Sequence, residues 1–81
     1  MPPRESLNCR LLALVEELVS GGVTLEQARR EFERQYVIVT LRVHRGSLGR
    51  SAQALGVHRN TLRNRISTLR IKPEDYRLDA R

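Results

Sequence analysis

Apolar side chains recur at three- and four-residue spacing along most of this chain, and each run of them ends at a glycine or a proline. That pattern calls for helices joined by short turns. In the first run Leu7, Leu11, Leu14 and Leu18 share a face, Leu12, Val15 and Val19 lie on a neighbouring row, and Ser20-Gly21-Gly22 ends it. The spacing predicts helix one over about Leu7 to Val19. Residues 1–5, with Pro2 and Pro3, read as a disordered lead.

Thr24 opens the second run with Gln27 three residues on, the spacing of a capping box in which each side chain satisfies the other's backbone N–H. Leu25, Ala28, Phe32, Tyr36, Val39 and Val43 keep helical spacing, and no glycine or proline intervenes before Gly46. Helix two is therefore long, about 20 residues and ~30 Å. Its second half, Tyr36-Val37-Ile38-Val39-Thr40-Leu41, is apolar nearly all round and rich in β-branched residues, so a strand is the alternative there. A helix apolar on every side must be covered on every side. A chain of 81 residues has few elements to do so.

Size points the same way. A domain this small buries only about 60% of the surface its unfolded chain exposes. Its single cysteine, Cys9, cannot form an internal disulfide and argues against a zinc cluster, which leaves self-association as support. The partner chain is expected on helix two, with Leu25, Ala28, Phe32, Tyr36, Val39 and Val43 at the interface. Cys9, set among apolar helix formers, reads as a packed structural thiol.

Ser47 is the expected N-cap of helix three, about Leu48 to Leu55, which Gly56 breaks. Helix four runs from His58 or Arg59 to Leu69 or Arg70, and Pro73 marks its stop. Ala52 is small where these helices would cross, Leu55-Gly56-Val57 makes the turn, and Leu62, Ile66 and Leu69 share one face of helix four. Together these features outline a helix-turn-helix. The chain divides into a lead (1–5), dimerisation helices (6–45), a helix-turn-helix (46–72) and a C-terminal tail (73–81).

The charge is divided just as sharply. Residues 1–41 carry five arginines against six glutamates, whereas Arg42 to Pro73 holds eight basic residues and no acid, within a net charge of +6. Such a segment seeks a polyanion, and nucleic acid is the leading one. No apolar run approaches the ~20 residues of a membrane span, and no signal-peptide pattern opens the chain.

Opposite the apolar face of helix four lie Arg59, Asn60, Arg63, Asn64 and Ser67. Arginine pairs bidentately with guanine O6 and N7, and asparagine with adenine N6 and N7, so this arc can read a major groove. In helix-turn-helix proteins the N-terminal part of the second helix makes the base contacts, which here assigns them to His58, Arg59, Asn60 and Arg63.

The segment Arg50-Ser51-Ala52-Gln53-Ala54-Leu55-Gly56-Val57-His58-Arg59-Asn60-Thr61-Leu62-Arg63 resembles the helix-turn-helix of the Fis family, which includes C-terminal domains of NtrC-type activators. The likeness extends more weakly back to Thr24. It implies an all-α fold of four helices per chain, with helices one and two intertwined in a dimeric four-helix core and helices three and four as a C-terminal helix-turn-helix. It also implies a guanine contact for Arg59, a groove contact for His58, and phosphate contacts for Ser47, Arg50, Thr61, Asn64 and Arg65. Gly49 departs from the family pattern, where threonine often makes a phosphate contact.

The expected function is that of a dimeric, sequence-preferring transcriptional regulator that binds double-stranded DNA in the bacterial cytoplasm, associated with the nucleoid. The alternatives are an architectural protein that bends DNA with little sequence preference, or a dimerisation and protein-interaction module. The chain could stand alone or form the last domain of a larger activator. No phosphate-binding loop or metal-ligand spacing is present, so neither catalysis nor a cofactor or metal is expected. His44, near the end of helix two, reads as a partner of that helix's C-terminus.

Overall fold

The computed structural model describes residues 4–77 and contains five helices: α1 (Arg4–Ser20), α2 (Leu25–Val43), α3 (Leu48–Leu55), α4 (Arg59–Thr68) and α5 (Pro73–Tyr76). There is no strand among the described residues, so the β-branched stretch of residues 36–41 is helical. The expected capping box starts α2: Gln27 N–H donates to Thr24 Oγ1 at 3.1 Å and Thr24 N–H to Gln27 Oε1 at 3.0 Å. Within the β-branched stretch the Thr40 hydroxyl donates to the Tyr36 carbonyl at 2.8 Å, so it bonds along the helix rather than competing with it.

Two boundaries differ from those expected from the sequence. First, α1 begins at Arg4, so Arg4 and Glu5 belong to a helix and not to a lead; residues 1–3 lie outside the described residues. Second, a fifth helix follows the helix-turn-helix where only a tail was expected. Pro73 opens it instead of merely stopping α4, because the first helical position needs no N–H and proline's fixed φ suits it. After α2, which ends at Val43, the first left-handed residue is Arg45 (φ 53°), one position before Gly46.

Each of the first four helices ends in the same hydrogen-bonded closure, with an i→i−5 bond. Val23 N–H reaches the Leu18 carbonyl (3.0 Å), Gly46 that of Leu41 (2.7 Å), Val57 that of Ala52 (3.0 Å) and Ile71 that of Ile66 (3.0 Å). This closure requires a left-handed residue just before the donor. Glycine supplies it at Gly56 (φ 76°), but Arg45 and Arg70 (φ 56°) supply it after α2 and α4. An L-residue there costs roughly 1–2 kcal/mol.

The buried core comprises Val37, Ile38 and Leu41 of α2, Ala52 of α3, Leu62 of α4, and Leu69 and Ile71 beyond it; Leu48, Leu55, Ile66 and Tyr76 pack against it. Leu41 and Leu62 are wholly inaccessible. Each stabilises the fold by about 1.5–3 kcal/mol through burial alone. The apolar ring on the second half of α2 is thus divided. Val37, Ile38 and Leu41 face the helix-turn-helix, while Tyr36, Val39 and Val43 stay exposed.

None of the core residues comes from α1. Leu7, Leu11, Leu12, Leu14, Val15 and Val19 are exposed, as is Cys9, which is therefore not packed within the single chain as expected. With Leu25, Phe32, Tyr36, Val39 and Val43 they make eleven large apolar side chains left bare on α1 and α2, against seven apolar residues in the core. That imbalance is the mark of a surface meant to be covered.

Candidate nucleic-acid interface

The core orients the polar residues of α3 and α4. Burial of Leu62 and Leu69 and half-burial of Ile66 fix which side of α4 faces inward. The other side then presents His58, Arg59, Asn60, Thr61, Arg63 and Asn64, all exposed, while Arg65, also exposed, lies on the flank that meets Glu33 of α2. Gly56 makes the turn into this helix: a Cβ added there would meet nothing within 4 Å, so the requirement is its positive φ and not space.

At the start of α3 the expected N-cap forms, with Ser47 Oγ accepting from Arg50 N–H at 3.2 Å. Ser47 is half-buried and Arg50 exposed. At the start of α4 the cap is His58, whose Nδ1 accepts from Asn60 N–H at 3.1 Å. An accepting Nδ1 places the ring hydrogen on Nε2, so His58 caps the helix with one edge and can donate outward with the other. No sequence signal announces this capping role, because histidine lies outside the usual N-cap residues.

The arginines fall into two groups. On α2, Arg29 hydrogen-bonds both Glu26 oxygens (2.7 and 2.8 Å) and so holds that carboxyl below the usual carboxylate range. Arg30 donates to the Thr68 carbonyl, Arg34 pairs with Asp75, and Arg42 donates to the Asp75 carbonyl. By contrast, the side chains of Arg50, Arg59, Arg63 and Asn64 have no hydrogen-bond or ion-pair partner among the described residues. Arg65 is the exception on α4, lying 3.4 Å from both Glu33 carboxylate oxygens.

These long-range contacts join residues more than 30 positions apart, and no local pattern announces them. The acid-free block is therefore less uniform than its sequence: Arg42 and Arg65 are engaged internally, while the start of α4 remains an unneutralised cationic and amide surface. His44 does serve the end of α2, its Nδ1 donating to the Thr40 carbonyl at 2.9 Å. Among the described residues no group of histidine, cysteine and carboxylate side chains could hold a metal ion, and no helix is long and apolar enough to cross a membrane.

A capped helix, a left-handed glycine turn and a second capped helix with a polar, cationic outer face together define a helix-turn-helix DNA-binding domain. The family model described as "Bacterial regulatory protein, Fis family" matches residues 28–69, a little over half of the chain, spanning most of α2 and all of α3 and α4. The chain belongs to the Fis family, whose helix-turn-helix domains mark DNA-binding regulators. Comparison with curated proteins and with solved structures gives no match.

Proposed function

We propose that the protein is a homodimeric, sequence-preferring transcriptional regulator that inserts α4 into the major groove of DNA. The observation that carries this reading is the outer face of α4: Arg59, Asn60, Arg63 and Asn64 follow directly on the Gly56 turn, all exposed, and their side chains have no partner among the described residues. Arg59 and Arg63 suit guanine and Asn60 suits adenine, while His58 offers Nε2–H beside them. Arg50, Thr61 and Asn64 then fall to phosphate, with Ser47 at the N-terminus of α3, where helix N–H groups favour an anion. Arg65 reaches phosphate only by leaving Glu33.

The bare apolar stripes of α1 and α2 support the dimer. A second copy would cover Leu25, Phe32, Tyr36, Val39 and Val43 together with half-buried Ala28, and the apolar rows of α1, in a four-helix core. The Phe32 and Tyr36 rings lie 5.8 Å apart, an ordered aromatic surface for a partner helix to pack on. Two-fold symmetry would present two copies of α4 to a roughly palindromic site in DNA of the bacterial nucleoid.

Gel-shift titration of Arg59→Ala against a specific and a nonspecific duplex tests the assignment. The variant is expected to lose about 1–3 kcal/mol on the specific site and little on the other. Arg50→Ala should instead weaken both and flatten the salt dependence. An unchanged ratio for Arg59→Ala would remove it from base recognition.

A further inference from the structure

We propose that α5 is a brace that fixes the tilt of the helix-turn-helix on α2, and so selects the spacing between the two half-sites of a bound duplex. The inference rests on the dimeric DNA-binding reading above. Asp75 is the hub of the brace. Its carboxylate accepts from its own helix start, Lys72 N–H at 2.9 Å, and from Arg34 at 3.3 Å. Its carbonyl accepts twice from Arg42, at 3.2 and 2.9 Å. Tyr76 beside it packs against the core, with its ring edge 3.4 Å from where a Cβ on Gly46 would sit.

Arg34 and Arg42 stand two turns apart on α2, about 12 Å along its axis. Holding α5 at both points resists rotation as well as separation. The segment from α4 to α5 is short and closed by the Ile71 to Ile66 bond, with Leu69 and Ile71 buried, so α5 cannot shift without carrying the end of α4. On the N-terminal side of the same helix, Arg30 donates to Thr68 and Glu33 pairs with Arg65.

The contact between α2 and the helix-turn-helix is otherwise apolar, and apolar contact is non-directional. Directional bonds therefore set the angle. That angle matters, because the chain is 29 Å across and a tilt of about 7° over that distance moves the far end by ~3.4 Å, the rise of one base pair. Arg34 and Asp75 side chains are each about a third exposed (30% and 31%), so their ion pair adds little stability. Its value lies in geometry.

The experiment measures binding of the full chain to duplexes whose two half-sites are moved apart or together by one or two base pairs. Wild type is expected to favour one spacing by about tenfold over its neighbours, a preference of the size that imperfect sites usually show. The double variant Asp75→Ala, Tyr76→Ala should flatten that profile while keeping the base preference within each half-site and the dimer. A uniformly weaker variant with the wild-type spacing profile would overturn the brace and leave α5 as a stabilising element only. If the double variant does not fold, Arg34→Ala carries the test: a smaller flattening supports the brace, and an unchanged profile overturns it. Wild type that binds without any spacing preference would overturn both the brace and the two-half-site reading, an outcome visible before any variant is made.

Discussion

Replacing Gly56 by alanine isolates the backbone requirement of the helix-turn-helix. Gly56 sits at φ 76° and ψ 28°, and a Cβ built on it meets no atom within 4 Å. No clash contributes, so the cost is the left-handed conformation alone, roughly 1–2 kcal/mol for an L-residue. Alanine also restricts the unfolded chain, which offsets about 0.4–1 kcal/mol. The net loss is therefore up to about 1.6 kcal/mol and centred near ~0.8 kcal/mol, with a fall in Tm of roughly 4–8 °C per kcal/mol for a domain of this size. Gly49 is the internal control. It lies inside α3, also with nothing within 4 Å, but its φ is not left-handed. Gly49→Ala should gain about 0.5–1 kcal/mol, because alanine is the better helix former. Thermal melts followed by circular dichroism at one fixed protein concentration make the comparison, since self-association shifts Tm with concentration. A Gly56→Ala protein that melts with wild type, or a Gly49→Ala protein that falls as far, would refute the conformational argument.

Substitutions at three further positions probe the core and the cap. Leu62→Ala empties a site of zero exposure and should cost about 2–5 kcal/mol in urea unfolding, enough to unfold much of the chain. Ser51 is fully buried and its hydroxyl has no hydrogen-bond partner among the described residues, so Ser51→Ala should be neutral or stabilise by up to about 1 kcal/mol in the same assay. His58→Ala removes the α4 cap and should cost about 0.5–2 kcal/mol, whereas His58→Asn should keep most of it. If His58→Asn retains stability but loses binding to the specific duplex, His58 also reads DNA; if it retains both, His58 acts as a cap only.

The fold was legible where it is local. The apolar period, the Thr24 and Gln27 box, the Ser47 cap and the Gly56 turn all act within a few residues, and each appears in the structure as read. The partition of the second half of α2 was legible only as excess: Tyr36 to Leu41 announced a surplus of apolar surface but not which side met the helix-turn-helix. What escaped were contacts between distant segments, namely Asp75 with Arg34 and Arg42, Glu33 with Arg65, and Arg30 with Thr68. Arg70 in the left-handed region escaped for a different reason, since the sequence pattern for such a closure is a glycine and here the chain accepts strain instead. The outward arc of α4 was legible because the buried Leu62 and Leu69 leave it no other direction to face.

The central claim is that two copies of α4 read DNA bases in a symmetric pair. Selection of bound duplexes from a random pool by the wild-type protein tests it most directly. The expected result is a roughly palindromic motif with a guanine preference in each half that disappears from both halves in Arg59→Ala. A flat base profile, or a motif without a repeated half-site, would contradict it.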